Sequence, residues 1–284
     1  MMTAGAGSAM RKRVIFHVGL PKTGTSAFQD ALELNRATLA GHGIAFSRKA
    51  DLGGAFRKAM RDIVRHGPGR LRQFRLDRAA RDMRLWADGQ EGQVILITDE
   101  NLLGWRIRDM YRMRFADGPA HALAALRKAF ESYDLSWVLF RREPASHMRS
   151  GYRYAVKLRG ISNSFDDWKA QAGSADALDR LVTETAEALG PDGHVFDMET
   201  EKESDRPWGA PILDLAGVPA DVIDALAPAP RTNEGMPDDL LDYVRKINAI
   251  GLDKKQRLQV VDVLLGMHAD LTGAKPRSAY GRVK

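Results

Sequence analysis

Four short runs along the chain are predominantly apolar and rich in β-branched or aromatic residues: 14–18 (VIFHV), 94–98 (VILIT), 136–140 (SWVLF) and 194–198 (HVFDM). A weaker run of the same kind lies at 44–46. Between them, apolar positions recur every three or four residues over 26–40, 55–64, 71–87, 119–132, 145–158 and 174–189, and again over 238–250 and 254–271. Strands that alternate with amphipathic helices predict a parallel sheet covered on both faces. The expected fold is therefore α/β, a three-layer αβα arrangement with a central parallel sheet of about five strands and a helical C-terminal part. In 254–271, Leu258, Val261, Leu264, Leu265 and His268 share one face, the pattern of ordinary core packing.

Punctuation is sparse. Gly and Pro cluster at 67–69 and at 228–230, and the second cluster reads as a loop between the sheet and a C-terminal helical cap. No repeat or low-complexity tract appears. Residues 1–12 read as a disordered N-terminus and 13–284 as one α/β domain.

Composition narrows the chemistry. The 284 residues contain no cysteine, which excludes disulfides, thiolate nucleophiles and Cys-ligated metal sites. Hydrophobic residues make up 44% and charged residues 28%, the balance of a folded chain with a full core. The net charge of +6 favours an anionic ligand without naming it. No apolar run approaches the ~20 residues of a membrane span, and the run after the basic N-terminus is too short for a secretory signal. A soluble, cytoplasmic protein is expected, with its oligomeric state open. The segment 48–86 holds twelve Arg or Lys against four Asp. It reads either as a solvated helical face or as a basic helical insertion on the acceptor side that greets an acidic acceptor or partner.

The first constellation follows the first strand. His17-Val18-Gly19-Leu20-Pro21-Lys22-Thr23-Gly24-Thr25-Ser26 joins a strand to an amphipathic helix. A glycine-containing turn that opens a helix presents backbone N–H groups and the positive end of the helix dipole to an anion. Thr25 and Ser26 add hydroxyl donors. Gly19 and Gly24 have the spacing of a Walker A loop, but Thr25 stands where that motif places lysine, and the lysine sits earlier, at Lys22.

The second constellation follows the strand at 136–140. Arg142 ends the strand, Pro144 suits the first turn of a helix, and Ser150 lies two turns in. Arg142 and Ser150 are placed to converge on a second anion. The plain alternative is an arginine paired with a nearby carboxylate and an ordinary helical serine.

At these residues the sequence resembles the sulfotransferases that use 3′-phosphoadenylyl sulfate (PAPS), with a P-loop-like fold and, among them, the bacterial type acting on glycans and small molecules. Pro21-Lys22-Thr23-Gly24-Thr25-Ser26 fits the family's 5′-phosphosulfate loop throughout. Arg142, Pro144 and Ser150 fit its R-x-P-x-x-x-x-x-S pattern for the 3′-phosphate. The resemblance runs in order over roughly 13–219, though only these two motifs are specific. It implies PAPS as co-substrate, PAP as product, no metal, and Pro21 to Ser26, Arg142 and Ser150 as nucleotide contacts. It further implies Lys22 as the cation on the transferred group. Arg231, in 231–234 (RTNE), reads as part of a loop over the nucleotide. The family's C-terminal Gly-rich, Lys-containing segment has only a poor counterpart at 273–275.

Transfer to an acceptor hydroxyl or amine needs a base. In the resembled fold a base lies at the end of the strand 94–98, which here runs into Thr98-Asp99-Glu100. Glu100 is the first candidate, Asp99 the second and His17 a minor third. Equally, Asp99 or Glu100 caps the following turn or pairs with Arg106 or Arg108. The remaining histidines show no metal-ligand spacing. The expected function is sulfuryl transfer from PAPS to a glycan, glycolipid or small metabolite, with no nucleic-acid partner. Two alternatives stand beside it: a P-loop kinase or NTPase with a shifted lysine, and a non-enzymatic anion or nucleic-acid binder built on 48–86.

Overall fold

The computed structural model describes residues 11–229 and 236–273. Five strands form one sheet: β1 (Arg13–His17), β2 (Ile44–Arg48), β3 (Val94–Thr98), β4 (Asp134–Arg141) and β5 (Gly193–Asp197). Their spatial order is β2-β3-β1-β4-β5 and every pairing is parallel. The helices are α1 (Thr25–Leu34), α2 (Arg36–Gly41), α3 (Gly54–His66), α4 (Arg70–Asp88), α5 (Pro119–Ala129), α6 (Pro144–Tyr154) and α7 (Phe165–Ala172). They continue as α8 (Ala175–Leu189), α9 (Met198–Glu203), α10 (Ala210–Leu215), α11 (Ala220–Asp224), α12 (Asp238–Ala249) and α13 (Lys254–Thr272).

The inner strands β1, β3 and β4 are buried on both faces, so their successive side chains feed two cores, whereas the edge strand β5 is half-buried with Val195 exposed. Val14 and Phe16 of β1 join Ile95, Ile97, Trp137 and Leu139 under α3, α4, α5 and α8. Phe16 stacks on Trp137 with ring centroids 4.8 Å apart. Ile15, Leu96, Val138 and Phe140 point the other way and pack under α1, α2, α10 and α11 through Phe28, Leu39, Ile212 and Ile223. This is the expected three-layer αβα arrangement. Each fully buried large side chain contributes about 1.5–3 kcal/mol to it.

Three elements differ from the sequence reading. The helix expected over 26–40 breaks at Asn35. That side chain donates to the carbonyls of Ala31 (2.8 Å) and Ala227 (2.9 Å) and accepts from the Ala227 N–H (2.9 Å). Such bonds compete with helix continuation. The helix expected over 145–158 changes at Ala155–Arg159 into a π-helical turn that Gly160 closes with φ 73°. The short helices α7 and α9 to α11 are additional. The basic segment 48–86 forms the crossover from β2 to β3. Phe56, Met60, Ile63, Leu76 and Met83 on its inner side are core residues, while its arginines face outward or into the cleft described below. Among the described residues, no helix is long and apolar enough to cross a membrane.

Candidate functional site

β1 is central, with β3 on one side and β4 on the other, and the chain fills the β2-β3 side before crossing to β4 and β5. The C-terminal end of such a strand is where open α/β sheets leave a crevice. The loop after β1 is tied to β4: the Val18 N–H donates to the Val138 carbonyl (3.0 Å) and the Leu20 N–H to that of Phe140 (3.3 Å). Thr23 is buried and its hydroxyl donates to the Leu20 carbonyl at 2.6 Å, closing the loop on itself. Lys22 has φ 72°, the only positive φ at a non-glycine residue among the described residues. Gly24 has φ 80° and precedes the first turn of α1. A Cβ there would also lie 2.5 Å from the Trp208 ring, so both conformation and space require glycine. Gly19 is needed for space alone, because a Cβ would meet the His17 ring at 2.7 Å.

These turns aim the start of α1 at the cleft. The first amides of a helix have no intrahelical acceptor. The Thr25 hydroxyl is buried and has no hydrogen-bond partner. A buried hydroxyl beside unsatisfied amides is a donor set suited to an anion. The Lys22 side chain crosses the Tyr154 ring with Nζ 5.6 Å from its centroid. Burial, then the nearby Arg142 and Lys157, hold the Lys22 ammonium below the ordinary lysine pKa, with Glu100 pulling the other way.

The second constellation meets the first directly. Arg142 Nη1 donates to the Lys22 carbonyl at 3.0 Å, and its Nε and Nη2 donate to the Ser146 hydroxyl at 3.1 and 2.9 Å. Glu199 stands 4.0 Å from Nε. Ser146, not Ser150, is thus the arginine's own partner. Ser150 lines the same cleft as Lys22 and Arg142. His147, one turn into α6, is fully buried and braces the loop from below. Its Nε2 meets the Pro21 carbonyl at 2.7 Å, and a carbonyl can only accept, so Nε2 carries the proton. Nδ1 is then bare and accepts from the Tyr111 hydroxyl at 3.0 Å. Burial lowers the His147 pKa to about 4, so it is a neutral strut.

At the end of β3 the two carboxylates separate. Asp99 is buried, ion-paired with Arg57, and accepts from the Asn101 N–H at 2.9 Å. It caps the turn, with Arg57 rather than Arg106 or Arg108 as its cation. Burial pushes its pKa up to about 6 against the pull of Arg57. Glu100 lines the cleft and pairs with Lys49 at 2.5 Å. His17 is buried beneath the loop, with Nδ1 2.9 Å from the Thr98 hydroxyl and Nε2 unpartnered. Burial lowers its pKa to about 4.

All of this opens into one cleft of about 2040 Å³. Pro21, Lys22, Gly24, Thr25, Ser26 and Glu100 line it, as do Arg142 and Ser150. Thr23, Asp99 and His17 lie behind that surface. Arg231 falls outside the described residues. The sequence reading did not single out Arg57, Lys49, His147, Tyr111 or Tyr154. Arg57 and Lys49 belong to the basic segment already noted; the other three carry no local signal. Among the described residues, no group of three or more His, Asp or Glu is arranged to hold a metal ion.

No family model matches the chain, and no curated protein matches it. Among solved structures, it is similar to a sulfotransferase from Alicyclobacillus acidocaldarius, at 17% identity and a TM-score of 0.41, over 89% of this chain and 96% of that one. It is also similar to the sulfotransferase domain of the Synechococcus PCC 7002 olefin synthase, at 14% identity and a TM-score of 0.41, over 89% of this chain and 92% of that one.

Proposed function

We propose that the chain is a PAPS-dependent sulfotransferase that moves a sulfuryl group to a hydroxyl or amine of a glycan, glycolipid or small metabolite and releases PAP. The observation that carries this reading is the hydrogen bond from Arg142 to the carbonyl of Lys22. It joins two anion-binding elements at the ends of neighbouring strands, which suits one ligand with two separate anionic groups. The buried, unpartnered Thr25 hydroxyl supports it.

When bound, PAPS supplies an activated sulfuryl group on a 5′-phosphate and a second phosphate at the 3′ position. On this reading the amides of the first turn of α1, with the Thr25 and Ser26 hydroxyls, hold the 5′ end. Pro21, Thr23 and Gly24 set the loop that presents them. Arg142 and Ser150 hold the 3′-phosphate, and Arg231 is assigned beside the nucleotide. The Lys22 ammonium offsets the charge that develops on the leaving phosphate, the kind of fixed electrostatic contribution that dominates such reactions. Glu100 faces the cleft and takes the acceptor proton. Asp99, held by Arg57 and the Asn101 amide, keeps the β3 end in place, and His17 supports the loop at Gly19. A metal is not required by these roles. A cytoplasmic location accompanies this reading.

Calorimetric titration with PAP tests the proposal. The folded chain is expected to bind PAP and to transfer label from PAPS to an acceptor panel. A folded chain that does not bind PAP would end this reading, and ATP turnover that disappears with EDTA would put the kinase alternative in its place.

A further inference from the structure

The cleft is far larger than a nucleotide needs: typical ligand pockets run to roughly 300–1,000 Å³, against about 2040 Å³ here. Its two sides differ. Arg142 lies at the end of β4, Lys22 after the central β1, and Glu100 with Lys49 and Arg57 toward β3 and β2. The far side, away from Arg142, is walled by α3, by the stretch around Arg106 and by the π-helical turn.

This far wall is positively charged beyond what its own carboxylates neutralise. The carboxylates lining the cleft are Glu100, Asp109 and Asp117. Glu100 pairs with Lys49, Asp109 with Arg106 and Arg108, and Asp117 with Arg114. Arg61 and Arg65 stand one helical turn apart on α3 and line the cleft. Among the described residues they make no ion pair. Arg159, on the π-helical turn, completes the group; burial first, and then Arg65, Arg159 and Arg61, lower the Arg106 pKa against the pull of Asp109. Four guanidiniums facing one cleft, two of them without an ion pair among the described residues, leave this wall with a surplus of positive charge that suits an anionic ligand.

The cluster lies close to the reacting end of the site. The Tyr154 ring is shared: Lys22 Nζ lies 5.6 Å from its centroid and Arg159 Cζ 5.8 Å. The Tyr154 ring thus contacts both the donor lysine and one member of the cationic wall.

We infer that the acceptor is an anionic oligosaccharide, its carboxylate or ester-anion groups held by Arg61, Arg65, Arg106 and Arg159 while a neighbouring hydroxyl faces Lys22. This rests on the sulfotransferase reading. A saccharide is favoured over a nucleic-acid strand because the indoles lining the cleft are withdrawn from its surface: Trp105 is fully buried and Trp168 nearly so, and the half-buried Tyr154 ring is already engaged by Lys22 and Arg159.

The test uses the full chain in calorimetry with four saccharide probes. These are tetragalacturonate and its methyl ester, and maltotetraose with and without a phosphate ester. A single-stranded oligonucleotide of matching charge is a fifth probe, and PAP is titrated separately. At least one charged saccharide is expected to bind roughly tenfold or more tightly than its neutral counterpart, an advantage that shrinks as salt screens it. Which pair shows the advantage distinguishes carboxylate from phosphate recognition. Arg61→Ala and Arg65→Ala, both at exposed helical positions, should each weaken that binding severalfold and leave PAP affinity within about twofold. Equal binding of charged and neutral saccharides, variants without effect, or an oligonucleotide that binds more tightly than either charged saccharide would overturn the inference. Loss of PAP binding in an otherwise folded chain overturns the donor reading instead, so the two failures are distinct.

Discussion

The guanidinium of Arg142 grips the backbone of Lys22 more closely than its carboxylate neighbour: its Nη1 donates to the Lys22 carbonyl at 3.0 Å, while Glu199 stands 4.0 Å from Nε. The loop that carries the lysine is thereby fastened to the strand next door. On the proposed reading, replacing Arg142 removes an anion contact together with the brace on Lys22. Arg142→Ala should weaken PAP binding by about 1.5–3 kcal/mol, roughly tenfold or more. Arg142→Lys should recover little, because an ammonium cannot serve the carbonyl and an anion with one planar fork. Calorimetry on both variants, with circular dichroism as the check on folding, decides this.

Lys22 combines a charge with a left-handed backbone. Lys22→Ala keeps the conformational cost, whereas Lys22→Gly relieves about 1 kcal/mol of it. Both variants should fold and both should lose turnover, with the glycine variant melting at the higher temperature. Undiminished turnover in either would remove the lysine from the reaction.

The two carboxylates after β3 should fail in different ways. Glu100→Gln should lower kcat by roughly 10²–10⁴-fold, the usual contribution of a positioned base, with PAP affinity nearly unchanged. Asp99→Asn leaves the Arg57 guanidinium without its buried counter-charge and should show up chiefly as a lower melting temperature. If Asp99→Asn instead abolished kcat at full stability while Glu100→Gln did not, the two assignments would exchange.

Two buried histidines make the fold sensitive to acid. Burial lowers His17 and His147 from 6.5 to about 4 in the folded state. Between those values the unfolded chain takes up protons that the folded chain refuses. Their contribution is full above about pH 6.5 and is lost as pH falls toward 4, by about 1.4 kcal/mol per pH unit for each histidine. Asp99, raised to about 6, works in the opposite direction, since its contribution is lost as pH rises through that value. Urea unfolding at several pH values between 5 and 7.5 on the native chain and on His147→Asn separates these effects. The Asp99 contribution is common to both proteins, and the variant should lose the slope of one histidine. Identical slopes would mean that His147 does not titrate in this way.

The strand pattern was legible because a strand buried on both faces leaves a short unbroken apolar run. β3 falls on the expected residues, and β1 and β5 are displaced by one position. Helices α7 and α9 to α11 span five to eight residues, too few for a 3.6-residue period to declare itself. The break at Asn35 was hidden because its partner, Ala227, is remote in sequence. The site shows the same division. Residues 21–26, Arg142 and Ser150 form local patterns, and all of them but the buried Thr23 line one cleft. Arg57 reaches Asp99, and Tyr111 supports His147, only through the crossovers that bring them there.

The sheet order has an evolutionary corollary. β1 and β4 are neighbours in space, but β2, α3, α4 and β3 intervene in the chain. Most of the cationic wall therefore belongs to a single uninterrupted stretch, 49–109, flanked in the chain by the loop after β1 and by the β4 end that carries Arg142. On the proposed reading, recombination within that stretch would graft a new preference for the incoming molecule onto an unchanged donor side.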